Sequence, residues 1–217
     1  MSADVLALTF FKVPDIAGAR EVYGLDGLEA RDVLKVLEHH HRDQGLPPDL
    51  TRIAACALTW MGKNRSGADV VADRGGGEQQ MLDRLIVRLC RWEGVVLLES
   101  SFDWLHLRQR CILRRLKAPC LWHMEPICEI EAMGLDRDSA HRLAQRLGDD
   151  PVEDMDQRGA EDLWFNGKRG PVINGLRQRS HNLLTLNLNQ QHAAGALTGH
   201  TFREMSIRLE ETRFSRV

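Results

Sequence analysis

Residues 4–15 read DVLALTFFKVPD, and the rest of the chain is arranged around this run. Positions 5–11 form an apolar stretch of strand length, rich in residues that favour extended backbone. Pro14 followed by Asp15 ends it, because proline has no N–H to give to a ladder and aspartate suits a turn or helix cap. The stretch reads as a buried strand that opens the domain.

Working outward, positions 17–23 and 30–41 read as helices, and 51–61 as a strand whose two faces are both mostly apolar, as in the centre of a sheet. One face carries Ile53, Ala55, Ala57 and Thr59, the other Ala54, Cys56, Leu58 and Trp60. A turn at 62–67 leads to a short strand at 68–72. The glycine triplet Gly75-Gly76-Gly77 is not a phosphate loop, since it lacks the Gly-Lys-Ser/Thr ending. An amphipathic helix at 79–92, with Leu82, Leu85, Ile86 and Leu89 on one stripe, is expected to pack on the sheet. A buried strand at 94–98, a helix from Phe102 and a strand-like segment ending at Trp122 follow. Further helices are expected at 138–147 (stopped by Gly148), 159–166, from 170 onward, and 198–214, with an acidic loop at 149–156. The pattern predicts one α/β domain over 1–217, a mixed central sheet flanked by helices, with 198–217 as a C-terminal helix.

The chain has 217 residues, 43% hydrophobic and 28% charged, which suits a globular domain with a sizeable core. A net charge of −2 provides no global field for phosphate, so nucleic-acid binding would need a local patch. No segment has the length and apolarity of a membrane span, and no signal-like leader is seen, so a cytoplasmic protein is expected. The five cysteines, Cys56, Cys90, Cys111, Cys120 and Cys128, lack C-x-x-C spacing, and reduced, buried thiols are expected. His39, His40 and His41 cannot converge on one ion from a helix, where successive side chains point in different directions.

Val13-Pro14-Asp15, Phe102-Asp103, the ungapped stretch from there to Trp122 and the frame of the last long helix resemble the DEDD-type 3′-5′ exonucleases. The bacterial members related to the proofreading domain of family B DNA polymerases are the nearest in pattern. The resemblance spans roughly 4–188 and implies a ribonuclease-H-like fold. It also implies a site of four metal-binding carboxylates that hold two Mg²⁺ or Mn²⁺ ions, with a tyrosine that orients water. In this chain those positions carry Thr9, Phe11, Asp103 and Asn182, with Gln178 at the tyrosine position.

Two dications a few ångströms apart need several carboxylates to offset their repulsion, and here one remains. The expectation is therefore a catalytically inactive relative, with no metal cofactor, that serves as a protein-interaction or scaffold subunit within a complex. Asp15 and Glu99 are expected to serve turns or caps, Asp103 to cap its helix, and Phe10 and Phe11 to join the core. The alternative is a non-cleaving module for single-stranded DNA or RNA. Its candidate patch is His106, Arg108, Arg110, Arg114, Arg115 and Lys117, with Trp104 for base stacking. Least favoured is a remodelled metal-dependent exonuclease.

Overall fold

The computed structural model describes residues 4–42, 45–62, 65–75, 77–147 and 156–214. In chain order the elements are β1 (Val5–Pro14), α1 (Ile16–Tyr23), α2 (Ala30–His40), a 3-10 turn (Pro48–Leu50), β2 (Thr51–Met61), β3 (Ser66–Ala72), α3 (Gly77–Leu89), β4 (Val95–Leu98), α4 (Ser101–Leu113), α5 (Cys120–His123), β5 (Ile127–Cys128), α6 (Glu129–Ala132), α7 (Arg137–Arg146), α8 (Gln157–Phe165), α9 (Arg169–Ala193) and α10 (Gly199–Phe214). The turn positions Lys63 and Asn64, the middle glycine Gly76, the stop at Gly148 and the acidic loop up to residue 155 lie outside the described residues.

β1 sits at the centre of a five-stranded mixed sheet of order β3-β2-β1-β4-β5. It pairs antiparallel with β2 and parallel with β4, while β2 pairs antiparallel with β3 and β4 parallel with β5. Gly94 permits the β1–β4 approach: a Cβ there would collide with the Asp4 carbonyl, which accepts the Val95 N–H at 2.8 Å.

Both faces of β1 are covered, as its unbroken apolar run requires. Leu6, Leu8 and Phe10 pack with α3 and α4 through Leu82, Leu85, Trp104 and Leu107. Phe11 and Val13 face the other way, against Trp164 of α8 and Val172 and Leu176 of α9. The strand expected at 51–61 is present, but its faces do not alternate throughout. Lys12 pairs with Ile53 and Phe11 with Ala55, so Ala54 bulges and Ile53 turns to the α3 side.

Two expectations are corrected. The strand-like segment before Trp122 is instead the short helix α5, started by Pro119 at its N-cap, and the edge strand β5 comes later at Ile127–Cys128. Nor are all cysteines reduced: Cys90, just after α3, and Cys120, the first residue of α5, form a disulfide with Cα atoms 5.1 Å apart. No spacing motif marks that pair, because the fold brings together positions 30 residues apart. Cys56, Cys111 and Cys128 are free.

The three histidines behave as expected of a helix end. His40 stacks on Tyr23 at 5.3 Å, and the Tyr23 hydroxyl meets His41 Nε2 at 2.7 Å. Among the described residues no helix is long and apolar enough to cross a membrane.

Candidate functional site

At the end of β1, where it passes α4, α8 and α9, a cleft of about 430 Å³ opens. Its walls include Phe10, Lys12, Phe102, Asp103, His106 and Arg179. Lys12 is the one charge within the apolar run of β1, and the α4 side of the sheet receives it. Its ammonium lies 2.6 Å from Asp103 Oδ1, in the first turn of α4. That turn is capped by Ser100, whose hydroxyl accepts the Phe102 N–H at 3.1 Å. Asp103 is thus not the cap the sequence suggested. It is buried and turned inward, and its Oδ2 has no hydrogen-bond partner among the described residues.

A second carboxylate borders the same region. Glu99, at the end of β4, is buried and held in a two-point pair by Arg179 of α9, with Nε donating to Oε1 at 2.8 Å and Nη2 donating to Oε2. The N-cap of α4 is Ser100, and Glu99 makes an ion pair that the sequence does not suggest. Burial acts against the charge on Arg179, but the Glu99 carboxylate and the more distant Asp103 outweigh it and raise the guanidinium pKa. Asp103 and Glu99 are therefore each matched by a side-chain cation from a facing element.

The other positions marked by the resemblance lie behind the cleft. Thr9 is fully buried and donates its hydroxyl to the Leu176 carbonyl of α9 at 2.9 Å, one polar link between strand and helix. Phe11 is a core residue, its ring centroid 5.2 Å from that of Trp164. Asn182 is buried on α9 and accepts from Gln178 Nε2 at 2.8 Å, while its own Nδ2 has no partner among the described residues. β1 and α9 thus bring Thr9, Gln178 and Asn182 to one side of the sheet, and Asp103 stands at α4 across Lys12. No group of three or more His, Cys, Asp or Glu side chains able to hold a metal ion is found among the described residues.

The basic set on α4 is divided by the fold. Arg110 is fully buried: its guanidinium donates to Glu78 Oε1 and Oε2 at 2.8 and 2.5 Å, to Asp15 Oδ2 at 2.6 Å and to the Asp49 carbonyl at 3.1 Å. Arg114 adds bonds to the same two carboxylates. Burial alone would lower the Arg110 pKa, and Glu78 and Asp15 instead raise it. Asp15 is the N-cap of α1, as expected, accepting the Gly18 N–H at 3.1 Å. Burial pushes its pKa up, but Arg110, the Gly18 N–H and Arg114 together bring it below the usual carboxylate value.

His106 is also buried, its Nε2 between the Thr51 hydroxyl and carbonyl at 3.2 and 3.1 Å. Desolvation, with Lys12 and Arg110 nearby, pushes its pKa down. The Trp104 indole is buried, so it offers no open platform for a base. Arg108 is half-buried, donating to the Leu121 carbonyl and lying over the Trp104 and Trp122 rings. Arg115 and Lys117 are exposed.

The sequence pattern does not single out Lys12, Glu78 or Arg179. Lys12 does carry a local signal, as a lone charge inside a buried strand, a position that demands a partner. Glu78 and Arg179 carry no such signal. Among known proteins, no family model and no curated protein matches the chain.

Proposed function

We propose that this chain is a non-catalytic, ribonuclease-H-like domain that acts as a protein-interaction subunit, its hydrolytic site replaced by internal ion pairs. The sheet order β3-β2-β1-β4-β5, with β1 to β3 antiparallel and β4 and β5 parallel to β1, is compatible with that fold. The observation that carries the reading is the Lys12–Asp103 pair in the cleft. In a two-metal hydrolase the carboxylates need the charge of the ions, and the ions need the carboxylates. Here the lysine supplies positive charge at Asp103 from within the chain. Thr9 and Phe11, the strand positions that would complete a cage, face the core and not the cleft.

The test is incubation of the purified protein with a 5′-labelled single strand and Mg²⁺ or Mn²⁺, reading length on a gel and binding by anisotropy. The expected result is unchanged length. Metal-dependent shortening abolished by Asp103→Ala would overturn the proposal. Tight binding without shortening would move the reading to a nucleic-acid module.

A further inference from the structure

α4 carries apolar side chains on both its faces. Its buried face carries Asp103, His106 and Arg110 beside Trp104, Leu107 and Cys111, and its solvent face carries large apolar side chains. Phe102, Leu105, Ile112 and Leu113 are 60, 51, 64 and 53% exposed. Phe102, Leu105 and Ile112 follow a three-to-four-residue rhythm through Gln109, so they form a stripe along one side of the helix, about 16 Å long. The helix cannot rotate to hide it: Arg110 is clamped to Glu78 and Asp15, and Asp103 to Lys12. Scattered exposed leucines need no explanation, but an apolar stripe on a helix whose other face is locked inward does.

Charge of both signs flanks the stripe: exposed Glu131 accepts from Ser100 and Ser101 at its N-terminal end, and two cations stand at its C-terminal end. Arg115 and Lys117, just past the C-terminus of α4, are exposed and have no ion-pair partner among the described residues. Trp122, half exposed, extends the apolar surface next to Arg108, which lies 5.7 Å over its ring. A helix whose apolar side faces the stripe and which carries carboxylates at the end beside Arg115 and Lys117 matches both features, burying the apolar surface and pairing those two cations.

We infer that the exposed face of α4 is a docking surface for an acidic amphipathic helix of a partner protein. This rests on the reading of the chain as a partner-binding domain and names the kind of partner. Apolar contact with Leu105 and Ile112 supplies the attraction, and Arg115 and Lys117 set its orientation and salt dependence.

The test uses the full chain and two fluorescein-labelled helical peptides of about four turns, both with leucine on one face, one with glutamate and the other with lysine on the opposite face. The glutamate peptide is expected to bind, and the lysine peptide about tenfold or more weaker. Leu105→Ser and Ile112→Ser, both at exposed positions, are expected to weaken binding by about tenfold with an unchanged melting temperature. A double variant, Arg115→Gln with Lys117→Gln, is expected to remove the salt dependence. Equal binding of the two peptides, or of neither, would overturn the inference. So would self-association of the free protein lost in Ile112→Ser, which assigns the face to a second copy. Sedimentation with phosphatidylcholine–phosphatidylserine vesicles, lost in the same variant, would assign it to a membrane surface. Strand shortening in the nuclease assay would end the non-catalytic reading and leave these binding results standing, so the two failures are distinguishable.

Discussion

Asp103 presents one oxygen to the Lys12 ammonium at 2.6 Å, while its other oxygen is buried without a hydrogen-bond partner among the described residues. The pair is lopsided in exposure, with the Lys12 side chain 27% and that of Asp103 5% accessible. Lysine can reach water on its flexible stem if its partner is lost, and the carboxylate cannot.

Unequal costs follow for the two halves of this pair. Lys12→Met strands a buried carboxylate and is expected to destabilise the protein by about 2 to 4 kcal/mol, below the upper end for buried pairs because the site borders a cleft. Asp103→Asn keeps a polar group and frees the lysine to solvent, at an expected cost of about 1 kcal/mol. Urea unfolding of the two variants measures the difference, and equal costs would contradict the assigned geometry.

Arg110 is expected to behave as a structural residue. Its removal leaves Glu78 and Asp15 facing each other in the interior with only Arg114 at the margin. Arg110→Met is expected to cost about 3 to 5 kcal/mol, whereas Arg115→Glu at an exposed position should change stability by less than about 0.5 kcal/mol. Chemical denaturation separates them. Loss of any binding in an Arg110 variant therefore reports unfolding before it reports a lost contact.

His106, Asp15 and Asp73 contribute to the pH dependence of stability with one sign, and Glu129 and Glu161, whose carboxyl pKa values burial raises, with the other. His106 has its pKa depressed by burial, so the unfolded chain takes up a proton below the ordinary histidine value of 6.5 before the folded protein does. Stability is expected to fall as pH drops from 6.5 toward the lowered folded value, and His106→Gln should flatten that slope. Asp15 and Asp73 have folded pKa values below the usual 3.8: burial opposes this, but Arg110 and Arg52 respectively, with backbone N–H groups, prevail. Their stabilisation is complete above 3.8 and is lost as pH falls through the folded values. Thermal melts between pH 7 and pH 3, compared for wild type and His106→Gln, provide the check.

Thiol counting tests the disulfide. Under non-reducing denaturing conditions, Cys56, Cys111 and Cys128 are expected to react with an alkylating agent, and Cys90 and Cys120 only after reduction. In the folded state Cys111 should react slowly, because burial, with Glu78 and Asp83, pushes its thiol pKa up to about 12. Closing a loop with a sequence separation of 30 is expected to contribute about 3 to 4 kcal/mol, so a reductant should lower the melting temperature.

What the sequence discloses is the part of the fold that rests on local pattern. The apolar runs that become β1, β2 and β4 and the periodic stretch of α3 are visible as such, because burial on two faces or on one stripe dictates composition directly. Thr9 and Phe11 are recognisable as residues without a carboxylate. The orientation of α4 is not legible. Its arginines read as an exposed basic patch because charged side chains are usually solvated, and their acceptors, Glu78 and Asp15, lie 32 and 95 positions from Arg110. The same long-range placement hides the Glu99–Arg179 pair, 80 positions apart, and the Cys90–Cys120 bridge. Only Lys12, a lone charge inside a buried strand, announces a partner locally.

We propose that Lys12 supplies at Asp103 the positive charge a hydrolase would take from metal ions. Isothermal titration of the purified protein with Mn²⁺ measures this most directly. No stoichiometric binding up to the millimolar range and no rise in melting temperature with the metal are expected. Two Mn²⁺ ions bound per chain, both lost in Asp103→Asn, would contradict the proposal.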